Sequence, residues 1–561
     1  MGERTGAELL VAALKANGAA YFIGIYGVQS LEVLDLLYGD PSLKVITVRH
    51  EEAAPFIAYG YAKITGRPAV CYSVPGPGAT NMVTSVAAAQ ADAVPMVILS
   101  AQIPLALMDR ATNHRCDLEG VFRPVTKEVV TCRKAGDIPG AISRAFRVAT
   151  EGCPGPAMVI IPSNLFGARA DVAVNVPVKP EASPDPGLPA RLEEAAAILE
   201  KAKAPVIFAG GGVANADAAG ELRLLAEKLS APVFTSEKGR GVIPEDHPLS
   251  AGIFLFKGAT EVFARADACL ALGTKFPEFS TLGWSVPFPE RLIEVNRDTA
   301  HMGKVYQPEV AIVADVKDVL PRLREMVNQK RADGEIHRLL KQHREQRERE
   351  TTAFMAREPS FPFHPLWLLR RLREYLPPEA VCVVDNTSSA LGAVRDHGFT
   401  VSRPRTLLSN DGFGAMGFAL PAAIGVKLAD PARQALCIVG DGSFLMQMSE
   451  LATAAACGLS VPVIVMNNGY YGVLQQHQER FCGSRYIGAE LNNPDFVKVA
   501  EAFGGAGYRV TSPDGLLPAL EKAFAFPGPS VVDVPVDVHP VARDLRFRWL
   551  TMGLISENDP V

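Results

Sequence analysis

The chain lacks the features that mark several protein classes. No stretch of about 18 uncharged apolar residues occurs, so nothing in the sequence reads as a membrane span. The N-terminal "MGERTGAELLVAAL" carries an acid early and no apolar signal core, and reads instead as an amphipathic helix. No long basic run exists and the net charge is −5, which argues against nucleic acid as a partner. The nine cysteines are dispersed, with no C-x-x-C and no Cys/His cluster in sequence, which argues against a disulfide framework or structural zinc. A cytoplasmic protein is the expectation.

What is present is apolar sequence in short runs. Apolar residues make up 48% of 561, enough for well-buried cores, and the length implies about three domains of ordinary size. Runs such as "VITV", "AVCYSV", "PMVILS", "AMVIIP", "PVIFAGG", "ACLALG", "RLIEVN", "VCVVDN", "ALCIVGDG", "PVIVMNN" and "SVVDVPV" alternate with helix-like segments. That alternation predicts βαβ units with parallel sheets covered on both faces. Two joints interrupt it. One is the proline-rich stretch from Asp171 to Pro189; the other, from Met326 to Pro365, includes a charged run that reads as a solvated helical face. The expected fold is α/β, with three doubly wound parallel-sheet domains near 1–170, 190–325 and 360–540.

The richest stretch is "GDGSFLMQMSELATAAACGLSVPVIVMNN", Gly440 to Asn468. It reads as a strand tip carrying Asp441, one helix running to Gly458, and a second strand tip carrying Asn468. Ligands of doubly wound sheets bind at such tips. Gly440 and Gly442 let the backbone approach a bulky anion, and the helix N-terminus near Ser443 offers free N–H groups. A carboxylate and an amide oxygen suit Mg²⁺ or Ca²⁺, which shares its other positions with phosphate oxygens. A plain turn with capping asparagines is the bland alternative. Loaded tips on both strands favour a diphosphate held through a divalent metal.

Together with "RHEEAAPFIAYGYAKITGRPAVCYSVPGPGATN" (49–81), "RPVTK" (123–127) and "GFGAMGFALPAAIG" (412–425), this stretch resembles the thiamine diphosphate enzymes of the acetolactate synthase, pyruvate oxidase and benzoylformate decarboxylase group. The resemblance implies a pyrimidine-binding domain, a central domain and a diphosphate-binding domain. It also implies a homodimer at least, with a homotetramer expected, because each cofactor lies between two subunits. Asp441 and Asn468 would ligate the metal with the backbone carbonyl of Tyr470, and Gly440, Gly442 and Ser443 would hold the diphosphate. Glu51 falls on the glutamate that activates the aminopyrimidine, and Glu52 reads as its helix-starting neighbour. Gly414 and Met416 match the clamp on the pyrimidine and the apolar support beneath the bent cofactor. "PGPGATN" (75–81) would be a backbone-lined loop near the reaction centre.

The match frays where substrate would bind. Tyr26-Gly27-Val28 replaces a Pro-Gly-Gly loop, and Gln29 follows it. Asn113-His114-Arg115 replaces Phe-Gln-Glu, His477 stands in place of a tryptophan, and Lys275-Phe276-Pro277-Glu278 replaces an Arg-Phe-Asp-Asp run. Histidine side chains ordinarily change charge near neutral pH, so His114 and His477 are the candidate acid/base groups, and Gln29 is expected to point toward the cofactor. The bland reading makes either histidine a surface or supporting residue, and His50 reads as structural. "VIFAGGGVANADAAGELRLLAEKL" is a strand, glycine turn and helix that would suit FAD or ADP, but it lacks an acidic ribose contact. Lys275 in place of arginine further weakens the case for FAD. The expected activity is cleavage or formation of a C–C bond next to the carbonyl of a 2-oxo acid or 2-hydroxyketone, acetolactate synthase-like. A benzoylformate-type decarboxylase, a hydroxyacyl-CoA-type lyase and an FAD-linked oxidase are the alternatives.

Overall fold

The computed structural model describes residues 2–174, 186–256, 258–331 and 334–537. Most of the proline-rich joint therefore lies outside the described residues. The second joint contains a 21-residue helix, Glu335–Met355, anchored by buried Ile336 and Leu340. No helix among the described residues is long and apolar enough to cross a membrane.

Three six-stranded sheets form, and every pairing within them is parallel. The N-terminal sheet runs in space Lys44–Thr47, Tyr21–Gly24, Ala69–Ser73, Met96–Gln102, Pro156–Pro162, Glu128–Thr131. The C-terminal sheet runs Leu407–Leu408, Val381–Val384, Ala435–Gly440, Pro462–Asn467, Ser530–Pro535, Ala506–Arg509. Counted within each domain, both have strand order 2-1-3-4-6-5. The central sheet runs Ser250–Gly252, Val233–Thr235, Pro205–Ala209, Ala268–Leu272, Leu292–Asn296, Val310–Val313, which is order 3-2-1-4-5-6. In each sheet the order reverses beside the first strand, and that reversal opens a crevice at the strands' carboxyl ends. Central strands such as Pro156–Pro162 and Ala435–Gly440 are buried at every position, the pattern of a sheet covered on both faces.

One apolar core spans the N- and C-terminal domains. Its seam is the helix pair Ala53–Thr65 and Ala419–Ala429, whose backbones touch. A Cβ on Gly60 would lie 1.9 Å from the carbonyl oxygen of Ala422, and one on Gly425 would lie 1.9 Å from that of Ile57. Only glycine fits at either position.

Two local expectations are corrected. The segment after Asp441 is not one helix to Gly458 but two, Asp441–Gln447 and Glu450–Ala456. "PGPGATN" is not a loop: Pro77 starts the short helix Pro77–Asn81, its missing N–H costing nothing at that position.

Candidate functional site

Asp441 ends the strand Ala435–Gly440 and begins a helix, at the crevice of the C-terminal sheet. Its carboxylate is 2% exposed. Oδ1 accepts from the Gly442 N–H at 2.9 Å; Oδ2 accepts from the N–H groups of Asn468 (3.2 Å) and Gly469 (2.7 Å) and from Asn493 Nδ2 (2.8 Å). Burial raises its pKa, and these donors pull it back down. Asn468 follows the next strand, and its Oδ1 accepts from the Tyr470 N–H at 3.1 Å. A cavity of about 80 Å³ opens here, lined by Gly440, Asp441, Gly442, Ser443, Asn468, Tyr470 and Met416. The sequence thus brings one carboxylate and one amide to the same pocket from strand tips 27 residues apart. The two glycines also have near neighbours of their own. A Cβ on Gly440 would meet Thr387 at 2.9 Å, and one on Gly442 would meet the Tyr471 ring at 2.6 Å.

A second acid supports this pocket and was not singled out from sequence. Asp385, at the tip of Val381–Val384, is fully buried. It accepts from the N–H groups of Asn386 (2.9 Å), Gly417 (3.2 Å) and Ala419 (2.8 Å). Burial pushes its pKa up to about 6. Asn386 Nδ2 donates to the Gly414 carbonyl at 2.6 Å, leaving that oxygen a second lone pair. Asp385 and Asn386 therefore tie down "GFGAMGF", where Gly414 and Gly417 take φ of +79° and +82°. A strand ending in "DN" was the available signal. Asn493 had none, since it lies in a segment without helix or strand.

Glu51 closes the turn before the helix Ala53–Thr65 and is 9% exposed. Its Oε2 accepts from Asn81 Nδ2 at 2.9 Å, and Gly78 packs against its Oε1. Glu52 points elsewhere: its Oε2 accepts from Gln447 Nε2 at 2.8 Å. Gln29 Nε2 lies 3.3 Å from His114 Nδ1. His114 takes φ +64°, and Gly76 packs on its backbone. Gln29, His114, the 75–81 segment and Glu51 thus share one face of the N-terminal domain.

That face does not join the Asp441 pocket within one chain. All of the pocket's described lining residues lie between 386 and 473. Glu52 meets the far end of the helix that Asp441 begins, about 9 Å along its axis at 1.5 Å per residue. His477 sits on the helix Gly472–Phe481, one turn beyond the pocket residue Val473, whose carbonyl lies 2.6 Å from its Nδ1. Its Nε2 is buried without a hydrogen-bond partner.

A larger cavity, about 420 Å³, lies at the crevice of the central sheet and reaches both other domains. Its wall holds Gly211 and Gly212 of the glycine turn together with Lys63, Lys238 and Lys275. Lys238 pairs with Asp92 (3.1 Å) and Asp411 (3.6 Å), and Lys275 donates to the Ala91 carbonyl at 3.3 Å. Burial lowers the pKa of Lys63 to about 8. Cβ atoms on Gly210 and Gly212 would collide with Gly273 at 2.3 Å and 2.7 Å, so neighbouring backbone explains these glycines without a phosphate. The turn continues as two helices, Gly211–Asn215 and Ala219–Leu229, rather than one.

Three family models match in chain order. They are the N-terminal TPP binding domain (residues 4–121), the central domain (192–323) and the C-terminal TPP binding domain (388–534) of thiamine pyrophosphate enzymes. The acetolactate synthase large subunit of Corynebacterium glutamicum is 35% identical over 572 residues, covering 99% of this chain and 90% of that protein. The acetolactate synthase isozyme 1 large subunit of Escherichia coli is 34% identical, covering 95% of this chain and 94% of that protein. A probable acetolactate synthase large subunit of Methanocaldococcus jannaschii is also 34% identical, covering 95% and 92%.

Proposed function

This chain belongs to the thiamine pyrophosphate enzymes, and on that premise we propose that it is an acetolactate synthase-like carboligase. Its donor is a 2-oxo acid, which loses CO₂ before the remaining fragment joins a second carbonyl compound. The observation that carries the reading is the buried Asp441 carboxylate beside Asn468 at paired strand tips. These are hard oxygen donors of the kind Mg²⁺ takes, and a divalent cation would balance a charge that burial penalises.

Thiamine diphosphate supplies a carbon nucleophile and an electron sink for cleaving the bond next to the substrate carbonyl. The chain's residues do the rest. Asp441, Asn468 and the Tyr470 carbonyl would hold the metal, while Ser443 and the N–H groups around Gly440 and Gly442 would receive the diphosphate. The Gly414 carbonyl, with a lone pair left free by Asn386, would accept from the cofactor's amino group, and Met416 would give it an apolar contact. Glu51, its carboxylate held by Asn81, would be the group that gives or takes a proton at the bound cofactor. Gln29 and His114 move protons at the substrate, with His477 entering from the diphosphate side.

The separation of Glu51 from the Asp441 pocket supports a homodimer at least, and we extend this to a homotetramer. Val28 (75% exposed) and Ile487 (82%) leave apolar surface for a second copy to cover. We take residues 1–170 as the pyrimidine-binding unit, 190–325 as the central unit and 360–540 as the diphosphate-binding unit. Carboligation consumes no flavin redox equivalents, so a bound FAD alone would not exclude it; reduction of a flavin in the central cavity during turnover of the donor would favour an FAD-linked oxidase instead.

Product analysis with pyruvate, benzoylformate and glyoxylate as donors tests the reading. Acetolactate from pyruvate supports it. Loss of CO₂ from benzoylformate with no acetolactate from pyruvate replaces it with the decarboxylase alternative.

A further inference from the structure

Outside the sites above, one cluster of ligand-type side chains stands at the border of two domains. Cys153, Asp298 and His301 present a sulfur, a carboxylate oxygen and a ring nitrogen within 4.8 Å of one another. Cys153 comes from the N-terminal domain, in the turn between the helix Ile138–Thr150 and the strand Pro156–Pro162. Asp298 and His301 come from the central domain, just after the strand Leu292–Asn296.

We propose that Cys153, Asp298 and His301 form a divalent transition-metal site of the Zn²⁺ class that links the N-terminal and central domains.

The donor set selects the ion. Thiolate and imidazole suit Zn²⁺ and Co²⁺, whereas Mg²⁺ takes oxygen ligands. With bonds of about 2.0–2.3 Å, tetrahedral ligand atoms stand roughly 3.5 Å apart, so small side-chain rotations close the set. All three residues are half-buried, so the site is shielded yet reachable from solvent.

Both sides of the cluster are built. Gly152 takes φ +55°, and the Gly155 N–H returns to the Ala149 carbonyl at 3.0 Å. Lys127 Nζ braces the same turn by donating to the carbonyls of Val148 and Glu151, both at 2.5 Å. On the other side the Asp298 carboxylate accepts from the Ala300 N–H at 2.8 Å, which fixes the turn that delivers His301. Three protein ligands leave a fourth position for water. Cys153 also lines the central cavity, so the site stands beside it.

The test is titration of the chelator-treated full-length protein with Co²⁺ alone, without thiamine diphosphate. We expect one equivalent to give a thiolate-to-cobalt charge-transfer band in the near ultraviolet, and Zn²⁺ to displace it. C153S should lose the band, and H301A should bind Co²⁺ at least tenfold more weakly. D441N should keep the band, which separates this site from the one at the C-terminal strand tips. Circular dichroism of each variant establishes that it is folded. Should C153S misfold, alkylation of Cys153 in the parent protein, located by mass spectrometry and blocked by Zn²⁺, takes its place. Absence of a thiolate band in the parent protein, or its persistence in folded C153S, overturns the proposal.

Discussion

Gln29 and His114, 85 residues apart in the chain, meet through Nε2 and Nδ1 at 3.3 Å. The pair sits where the chain departs from acetolactate synthases, and on the proposed function it moves protons at the substrate as it faces the cofactor. H114A should lower kcat about 100-fold, the low end for a lost general acid or base, with thiamine diphosphate affinity unchanged. Q29A should lower it less, and the double variant should fall short of the product of the two effects. Steady-state kinetics with a cofactor titration decides. A parallel loss of cofactor affinity would move His114 to a purely structural role.

Glu51 and Glu52 are adjacent and face different partners, Asn81 and Gln447. E51Q should slow hydrogen–deuterium exchange at thiazolium C2 by about 100-fold or more, since proton transfer depends on it. E52Q should leave that exchange near the parental rate. NMR-monitored exchange checks both, and equal slowing in the two variants contradicts the assignment.

Asn493 donates to both Asp441 and Asn467 and so orients the candidate metal ligand from behind. N493A should weaken Mg²⁺-dependent cofactor binding about 10- to 100-fold, the usual cost of a lost outer partner. D441N should weaken it further. Tryptophan fluorescence during Mg²⁺ titration gives the comparison, and parental affinity in N493A would discount the contact.

Asp385 makes stability pH-dependent. Burial raises its pKa from 3.8 to about 6, so the folded state holds that proton more tightly than the unfolded chain. This contribution is whole below about pH 4 and is lost as pH climbs through about 6. Two units at about 1.4 kcal/mol each amount to about 3 kcal/mol. Denaturant unfolding of D385N should lack this slope. A stability difference from the parent that stays constant from about pH 4 to 7 would refute it.

G60A places a methyl group 1.9 Å from the Ala422 carbonyl and must push two helices apart. Destabilisation of about 1–3 kcal/mol is expected, measured by denaturant unfolding. G66A, at a helix end with open space around it, is the control for strain at positive φ without a steric clash. An unchanged midpoint in G60A would mean the seam can open freely.

Most buried parallel strands were legible because each is a short apolar run, and their tips announced Asp441 and Asn468, though the inner strands Tyr21–Gly24 and Val233–Thr235 went unread because they are too short to stand out. Edge strands such as Leu407–Leu408 and Ser250–Gly252 escaped notice because two or three residues carry no readable period. The break after Gln447 was invisible for a different reason. No proline or glycine marks it. Glu450, which starts the second helix, accepts from the N–H groups of Arg49 and His50 in another domain, a partnership no local pattern encodes. Asn493 escaped in the same way, because its role exists only once the chain has closed around Asp441.

The contact between Gly60 and Ala422 has a twin in the contact between Gly425 and Ile57, and each spans the same three-residue offset on its helix. With the shared strand order of the two domains, this is the reciprocity of a twofold axis, drawn inside a single polypeptide. The first and third units are arranged as two protomers of a homodimer would be, joined by the central unit. On the proposed function the two units carry different parts of the chemistry: one holds Glu51, the other the strand tips bearing Asp441 and Asn468.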